Sequence, residues 1–349
     1  MTLGSVFFNS FSRWVLVTDK TAGKISIIVV NWNGRKFLDD CLGSLSSQTY
    51  SNREIILVDN NSADSSVDFV KEHFPEITVV ELTKNRGFTG GNLAGLEAAR
   101  GDLIALINND TRAEKTWLEN LVRPMLEDNQ IGICASKLIV DGTDKIDTAG
   151  DGLTSAAVGY KRGLWKDKSN YDEQELVFGA CAAAALYRRK MLDEIGFFDD
   201  QFFLNDEDTD LNFRAQLFGW RCVYVPRAVV YHKVNASIGR LTDMAVYYHT
   251  RNLEFIWIKN LPAALMLRFA HHKIVQELGA FGYLCLRHRK WRAFFRGKID
   301  ALRMIPKMLE KRADIQRRKT VSNNYLRSLL TPIASRELLR QKIIQLIHG

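Results

Sequence analysis

The chain has 349 residues and a hydrophobic content of 46%, which is enough for a large core in one big domain or two. Its five cysteines are scattered without a CxxC pair, so we expect small buried thiols in a reducing compartment and exclude a disulfide framework or a zinc site. The net charge of +8 comes without a run of about 18 uncharged apolar residues and without a recognisable signal peptide, which argues against a membrane span and predicts a cytoplasmic protein.

Residues 25 to 260 alternate short apolar runs with polar, helix-compatible stretches. The first four predicted strands lie at 25–31, 54–60, 77–82 and 103–108. The predicted helices lie at 34–48, 64–74, 89–100 and 113–126. This β-α-β-α order predicts a doubly wound α/β fold whose sheet is mainly parallel.

The second half of the chain is less regular. Residues 141–175 are rich in Gly, Asp and Lys and weakly periodic, which predicts an insertion or a flexible loop on the acceptor side. Residues 191–226 predict a short helix, an acidic loop, a helix from about Asp208 to Phe218, and a strand at 221–225.

The chain from Asn260 onwards looks helical, with apolar and basic residues interleaved. Residues 261–349 carry 19 Lys/Arg and five Asp/Glu, a net charge of +14 that leaves −6 for the rest of the chain. A basic tail of this kind is expected to contact an anionic surface, either nucleic acid or lipid headgroups. A helical subdomain packed on the sheet, with a solvated basic face, is the alternative.

Polar clusters follow three of the predicted strands, at 31–34 (NWNG), 59–61 (DNN) and 108–110 (NND). In an open α/β sheet, ligands bind at the carboxyl ends of the strands. One such cluster is explained by a turn, but three at the same edge indicate a ligand site. No G-x-G-x-x-G follows the first strand and no P-loop is present, so neither a dinucleotide fold nor a P-loop NTPase is expected. The run "NRGFTGGN" at 85–92 places free N–H groups at a helix start, where they suit phosphate.

Two residues in this region have the chemistry of metal ligands. Asp110 is a hard oxygen ligand at a strand end, suited to a Mg²⁺ or Mn²⁺ ion that bridges a diphosphate. His232 ends another apolar strand and is a second candidate for the same ion, although a buried or capping role would explain it equally well.

The densest acidic cluster lies in "NDEDTDLNFR" at 205–214. One or two acids at a helix start need no function, because they interact favourably with the helix dipole. Four acids within five residues repel one another, so a further role is expected. One carboxylate is a candidate general base for an acceptor hydroxyl.

Five segments together resemble the glycosyltransferases of family 2, particularly the bacterial rhamnosyltransferase-like branch. They are "ISIIVVNWNG", "EIILVDNNSADSS", "NRGFTGGNLAGLEAARGDLIALINNDT", "GFFDDQFFLNDEDTDLNFRAQLFGWRCVYVPRAVVYH" and "YYHTRN". They cover residues 24 to 255 in the order and spacing of that family. The resemblance implies a GT-A fold, a nucleotide-diphosphate sugar donor, and inversion at the anomeric carbon.

The resemblance also implies roles for individual residues. Asp59 matches the family residue at the nucleoside, and "INND" matches the D-x-D region with only Asp110 as a carboxylate, so metal binding is expected to be weak or to depend on His232. Glu207 and Asp208 match the family's E-D pair, whose Asp is the base; Asp210 is the fallback. The predicted donor-binding residues are Asn31, Asn33, Asp59, Asn61, Arg86, Gly87, Asn92, Asn108 and Asn109.

The predicted organisation is an N-terminal extension at 1–23, a GT-A domain at 24–258 and a helical basic region at 259–349. We expect a sugar, with L-rhamnose from a thymidine diphosphate donor as the leading choice, to be transferred to a saccharide or polyprenyl-linked acceptor. Peripheral attachment to the inner membrane face through residues 262–319 follows from the basic tail. A non-catalytic sugar-nucleotide or glycan-binding module is the alternative, and no nucleic-acid-binding signature accompanies the tail.

Overall fold

The structure is a computed structural model that describes residues 23–234 and 241–340. Nearly all of the predicted N-terminal extension at 1–23 lies outside the described residues. So does the stretch 341–349 of the predicted C-terminal region.

The described chain folds into alternating strands and helices followed by a helical segment. The strands are β1 (Ile25–Asn31), β2 (Arg53–Asp59), β3 (Thr78–Glu81), β4 (Leu103–Asn108), β5 (Thr111–Ala113), β6 (Ile131–Val140), β7 (Ile146–Ala149), β8 (Asp151–Thr154), β9 (Gly159–Lys161), β10 (Glu175–Val177), β11 (Ala184–Arg188), β12 (Arg221–His232) and β13 (Leu330–Thr331).

The helices lie between and after these strands. They are α1 (Arg35–Ser46), α2 (Ser66–His73), α3 (Gly87–Ala98), α4 (Trp117–Glu127), α5 (Arg189–Ile195), α6 (Glu207–Leu217), α7 (Asp243–Asn260), α8 (Ala263–Phe281), α9 (Trp291–Arg303), α10 (Ile305–Arg318) and α11 (Asn323–Leu329), with a π-helical turn at Gly282–Arg287 between α8 and α9.

The main sheet has the strand order β10-β12-β6-β11-β4-β1-β2-β3. Strands β1 to β4 are parallel to their neighbours in this set, and β12 is parallel to β6, whereas β11 runs antiparallel between β4 and β6. Helices α1, α2 and α4 cover one face, and α3, α5, α6 and α7 cover the other. The predicted fold class, a mainly parallel α/β sheet followed by a helical C-terminal region, is confirmed.

Of the two interpretations of residues 141–175, the flexible loop is wrong where strands form, and nothing contradicts an insertion. Strands β7, β8 and β9 lie there, and all four residues of β7 are buried. Strand β7 pairs with β6, while β8 pairs with β9 and with β13 to form a second, three-stranded sheet. Gly and Asp have weak strand propensity, and here tertiary pairing and burial override it.

Two other strands differ from the expectation. Strand β11 lies in an alanine-rich run for which no strand was predicted, and it is buried between β4 and β6. The strand predicted at 221–225 is the first part of β12, which continues past a register shift between Val225 and Val229 to His232. The strand end predicted for His232 is therefore correct.

The C-terminal helices are joined closely to the sheet domain. The predicted boundary between 258 and 259 falls inside α7. The Arg312 guanidinium of α10 donates hydrogen bonds to the carbonyl oxygens of Ile258 and Leu261, both at 2.6 Å. Within 23–234 and 241–340, no helix has the length and apolar character needed to span a bilayer.

Two glycines give a matched test of how α3 packs on the sheet. A Cβ atom at Gly95 would lie 2.4 Å from Cγ2 of Ile28, whereas a Cβ at Gly43 in α1 would have no atom within 4 Å. We expect Gly95→Ala to lower the free energy of unfolding by about 1–3 kcal/mol through overpacking. Gly43→Ala should raise it by roughly 0.5–1 kcal/mol through helix propensity. Urea denaturation measures both, and equal shifts would contradict this account of the packing.

Candidate active site

The three polar clusters meet at the carboxyl edge of the parallel strands. Asn31 pairs in register with Asp59 on the neighbouring strand, and its Nδ2 donates to Oδ1 of Asp59 at 3.3 Å. Nδ2 of Asn109 donates to Oδ1 of Asn31 at 2.8 Å. All three side chains are buried. The structure therefore brings together one residue from each cluster in a single hydrogen-bonded group.

The remaining predicted donor-binding residues surround this group. Asn33 is exposed, and its Oδ1 accepts the N–H of Ala63 at 2.8 Å; Asn61 is exposed in the same loop region. Arg86 is exposed just before α3. Asn92 is buried, and its Nδ2 donates to the Phe88 carbonyl in its own helix, which is a structural contact.

The start of α3 is attached to the strand edge by Asn60, which lies in the predicted 59–61 cluster but was not among the predicted donor-binding residues. Oδ1 of Asn60 accepts the N–H of Arg86 at 2.8 Å, and its Nδ2 donates to the Gly87 carbonyl at 2.9 Å. Gly87 has φ +72°, and a Cβ there would lie 2.3 Å from the Phe203 carbonyl oxygen. Only glycine fits this close approach, which packs the helix start against the loop before α6.

Two buried side-chain oxygens, at and just after the end of β4, have no hydrogen-bond donor among the described residues. They are Oδ1 of Asn108 and Oδ1 of Asp110. Nε2 of His232 lies 3.5 Å from Oδ1 of Asp110. Buried acceptors without donors are costly, so these oxygens and the imidazole fit a divalent cation.

His232 is held in place by a second carboxylate. Its Nδ1 lies 2.9 Å from Oδ2 of Asp147, in the arrangement by which carboxylates orient metal-binding histidines. Burial alone would lower the pKa of His232, but the neighbouring carboxylates of Asp110 and Asp147 raise it to about 9. The ring is therefore protonated at neutral pH when no cation is bound.

Asp110, His232 and Asp147 begin a row of charged side chains, which Lys161 and Asp151 continue towards α6. Both carboxylate oxygens of Asp147 accept hydrogen bonds from Nζ of Lys161, at 2.7 and 2.8 Å. Burial would raise the pKa of Asp147, but Lys161 and His232 hold it well below its usual range. The charge of Asp151 in turn favours the protonated form of Lys161. Neither Asp147, Asp151 nor Lys161 was predicted as a site residue.

Asp208 lies beside Asp151 at the far end of the row. Side-chain atoms of Asp151, Cys181 and Asp208 all lie within 4.8 Å of one another. Oδ2 of Asp208 accepts the N–H of Ala182 at 3.1 Å. Burial and the charge of Asp206 raise the pKa of Asp208 although that N–H lowers it, and burial with the charge of Asp208 raises the pKa of Asp151 to about 7. The five cysteines are all free.

The two other predicted acids have different surroundings. Glu207 is buried with Oε2 unbonded by the described residues, and burial together with the charge of Asp208 raises its pKa well above the usual range. Asp210 is fully buried: Oδ2 pairs with Nε of Arg214 at 2.9 Å and Oδ1 with Nζ of Lys259 at 2.8 Å. Burial would raise the pKa of Asp210, but these two cations lower it. The structure therefore places Asp210 in an ion-pair network and not at the accessible face.

The turn before α6 is strained and is held by α7. Three of its non-glycine residues have φ near +65°; they are Phe203, Asn205 and Asp206. Nδ2 of Asn252 donates to three turn carbonyls at 2.8–3.1 Å, and the Arg251 guanidinium donates to two. The Arg-Asn pair of "YYHTRN" therefore fixes the loop from which Glu207 and Asp208 start.

Comparison with known proteins agrees with this architecture. The model of the family described as Glycosyl transferase family 2 matches residues 26–196. The uncharacterized glycosyltransferase YwdF of Bacillus subtilis is 31% identical over 63% of this chain and 78% of its own length. EpsH of the same organism is 27% identical over 61% of each chain, so this chain spans less than two thirds of that relative.

Two further comparisons concern a more distant relative and a solved structure. The N-acetylglucosaminyl-diphospho-decaprenol L-rhamnosyltransferase of Mycobacterium tuberculosis is 24% identical over 62% of this chain and 78% of its own. The mannosyltransferase of Pyrobaculum calidifontis, solved with GDP-Man and Mn²⁺, superposes with a TM-score of 0.52 at 16% identity, over 89% of this chain and 84% of its own. The fold, the strand-edge site and the family match agree: the chain belongs to glycosyltransferase family 2.

Proposed function

We propose that the protein is an inverting glycosyltransferase that moves a sugar from a nucleotide-diphosphate donor to a saccharide or lipid-linked saccharide in cell-surface polysaccharide assembly. One observation carries the proposal. A row of charged side chains joins Asp110, at the donor-side strand edge, to Asp208, at the start of α6. A sugar transferase needs a site for a diphosphate and a base for a hydroxyl, side by side. Family membership supports the same reading.

On the donor side, Asp110 and His232 are the proposed ligands of Mg²⁺ or Mn²⁺, and Oδ1 of Asn108, buried without a donor among the described residues, is a candidate third ligand. When bound, such a cation would offset the negative charge that develops on the diphosphate leaving group. The group formed by Asn31, Asp59 and Asn109 would bind the nucleotide portion. The relative from Pyrobaculum calidifontis was solved with GDP-Man and Mn²⁺, which supports a divalent cation here.

On the acceptor side, Asp208 is the proposed base. It is the one member of the Glu207–Asp208–Asp210 set that is only partly buried, so an acceptor hydroxyl can reach it. The N–H groups of Ala182 and Thr209, at 3.1 and 2.7 Å, fix the orientation of its carboxylate. Its raised pKa makes it a better proton acceptor than an ordinary aspartate. The deprotonated hydroxyl would attack the anomeric carbon from the face opposite the diphosphate.

The transferred sugar is proposed to be L-rhamnose from a thymidine diphosphate donor. The support is the mycobacterial relative named as an L-rhamnosyltransferase, together with the resemblance to that branch. A non-catalytic glycan-binding module is the alternative. The accessible Asp208, with a raised pKa and a fixed carboxylate, has no use in such a module and favours the enzyme.

The donor site is tested by Asp110→Ala in a screen of sugar nucleotides for nucleotide release and product. Loss of the carboxylate should abolish transfer and remove the divalent-cation dependence of donor binding, since Asp110 is the carboxylate among the proposed ligands. Asp144→Ala, at an exposed acid that pairs with Lys168 and not with a proposed ligand, is the control and should keep both. Full activity of Asp110→Ala in EDTA would contradict the metal role.

The base is tested by comparing Asp208→Asn with Asp210→Asn. Asp208→Asn should leave donor affinity and stability near those of the wild type and lower turnover by roughly 10²-fold or more. Asp210→Asn should instead lower the free energy of unfolding by about 3–5 kcal/mol, because Arg214 loses its buried counter-charge and Lys259 keeps only that of Asp199. If Asp210→Asn showed the kinetic profile and Asp208→Asn did not, the base would be Asp210.

The proposed location is the surface of an anionic membrane, contacted by α8, the π-helical turn and α9. These helices expose large apolar side chains at helical spacing: Leu267, Ile274, Leu278 and Leu286, then Trp291, Phe295, Ile299 and Leu302. Exposed arginines flank them at 268, 287, 289, 292, 296 and 303. The two acids in this stretch, Glu277 and Asp300, are both ion-paired. Such a surface suits the interface of an anionic leaflet.

Vesicle flotation tests this surface without truncating the chain. Ile274→Glu combined with Leu278→Glu should abolish binding to vesicles of phosphatidylglycerol and phosphatidylcholine, because two carboxylates replace apolar groups at the interface. Leu176→Glu, at a residue 64% exposed in β10, is the matched control and should bind as the wild type does. Binding should weaken in high salt. Equal binding of the wild type to purely neutral vesicles, or no binding to either kind, would contradict the proposal.

A further inference from the structure

A cavity of about 700 Å³ lies between the β8–β9 strand pair and helices α7, α8 and α9. Its walls are mainly apolar. They include Val158, Val246, Leu253, Ala280, Leu284 and Phe294. This volume is within the range of sites that enclose most of a small organic ligand.

The charged side chains in the cavity wall have their own counter-ions. Each one that the described residues contribute is paired within 2.8 Å. The pairs are Lys161 with Asp147, Asp206 with His249, and Glu277 with both Lys273 and Lys298. A charged ligand would therefore have to break an existing pair. Charge balance and an apolar lining together favour a neutral, apolar occupant.

One end of the cavity adjoins the proposed base. Asp206 and Lys161 line it, and both belong to the acidic end of the row of charges that ends at Asp208. Gly159, also in the wall, is so close to α6 that a Cβ there would lie 2.6 Å from Oγ1 of Thr209, the residue after Asp208. A molecule filling the cavity would thus hold its polar end next to the carboxylate that activates the acceptor.

Another wall of the cavity is formed by α8 and the π-helical turn, and the outer side of these helices is the proposed membrane face. Ala280 and Leu284 line the cavity, whereas Leu278 and Leu286, two residues away on either side, are 67% and 71% exposed on the outside. The π-helical turn Gly282–Arg287 forms this part of the wall, and π-helical turns are frequent at functional sites. A single layer of helix therefore separates the apolar cavity from the surface that is proposed to contact lipid.

We propose that this cavity holds the proximal hydrocarbon chain of a lipid-linked acceptor and so positions the acceptor sugar at Asp208. The inference rests on the proposed glycosyl transfer and assigns its acceptor class. A soluble saccharide would have no contact with the apolar walls. The part of a hydrocarbon chain that enters the cavity would be removed from contact with water. Its burial contributes binding free energy in proportion to the apolar area buried.

Isothermal titration calorimetry with isoprenyl monophosphates of one, two and three isoprene units tests the site without requiring turnover. Affinity should rise about tenfold or more with each unit, because each adds apolar surface that leaves water. Ala280→Phe, which places a larger side chain in the cavity wall and leaves less room for the chain, should weaken binding of the three-unit phosphate by about tenfold or more. Ala270→Phe, on the exposed part of the same helix and outside the cavity wall, is the matched control and should bind as the wild type does. Thermal melting checks that both variants fold.

Affinity that does not depend on chain length in the wild type would overturn the inference, whatever the variants do. An equal loss in both phenylalanine variants would also overturn it. A parallel assay of sugar transfer to water-soluble saccharides separates this inference from the proposed function. Transfer without any chain-length dependence would overturn the cavity assignment alone. Chain-length dependence with no transfer to any acceptor would overturn the proposed function, and with it the assignment of the chain to an acceptor.

Discussion

One buried carboxylate, that of Asp147, connects the two halves of the site. It is 1% exposed and lies between two cations, the His232 imidazolium and the Lys161 ammonium. Each cation faces a further acid, Asp110 on one side and Asp151 on the other. A buried charge needs a partner, and loss of Asp147 would remove the nearest carboxylate from both cations at once. The relative position of the donor-side and acceptor-side groups therefore depends on this residue.

The donor side follows from the sequence because its signals are local. Strands β1, β2 and β4 contain apolar runs that end on amide side chains, joined after β2 and β4 by a carboxylate. Parallel strands bring their carboxyl ends to one edge, so placing Asn31, Asp59 and Asn109 together requires only the correct strand order. The family resemblance of the same segments implied a GT-A fold, and the helix starting at Gly87 lies where the glycine run predicted it.

The proposed acceptor side could not be predicted from the sequence, because its contacts join segments far apart in the chain. Asp147 and Lys161 lie in strands of four and three residues, too short to show a period. The hydrogen bonds from Asn252 to the turn before α6 span about fifty residues, and nothing in either segment signals them. The structural role of Asp210 likewise depends on Lys259, about fifty residues further along the chain. Local pattern identified four acids and not their partners.

The pairing of β8 with β13 has a consequence for synthesis of the protein. Leu153 and Thr154 take as their neighbours Leu330 and Thr331, which leave the ribosome long afterwards. Domains fold as the chain emerges, so the parallel strands can assemble while one edge of β8 still lacks its partner. An unpaired strand edge is a template for association with other chains. The nascent protein would therefore pass through a stage in which the parallel strands are ordered but β13 has not yet paired with β8. At that stage the free edge of β8 is the expected site of aggregation.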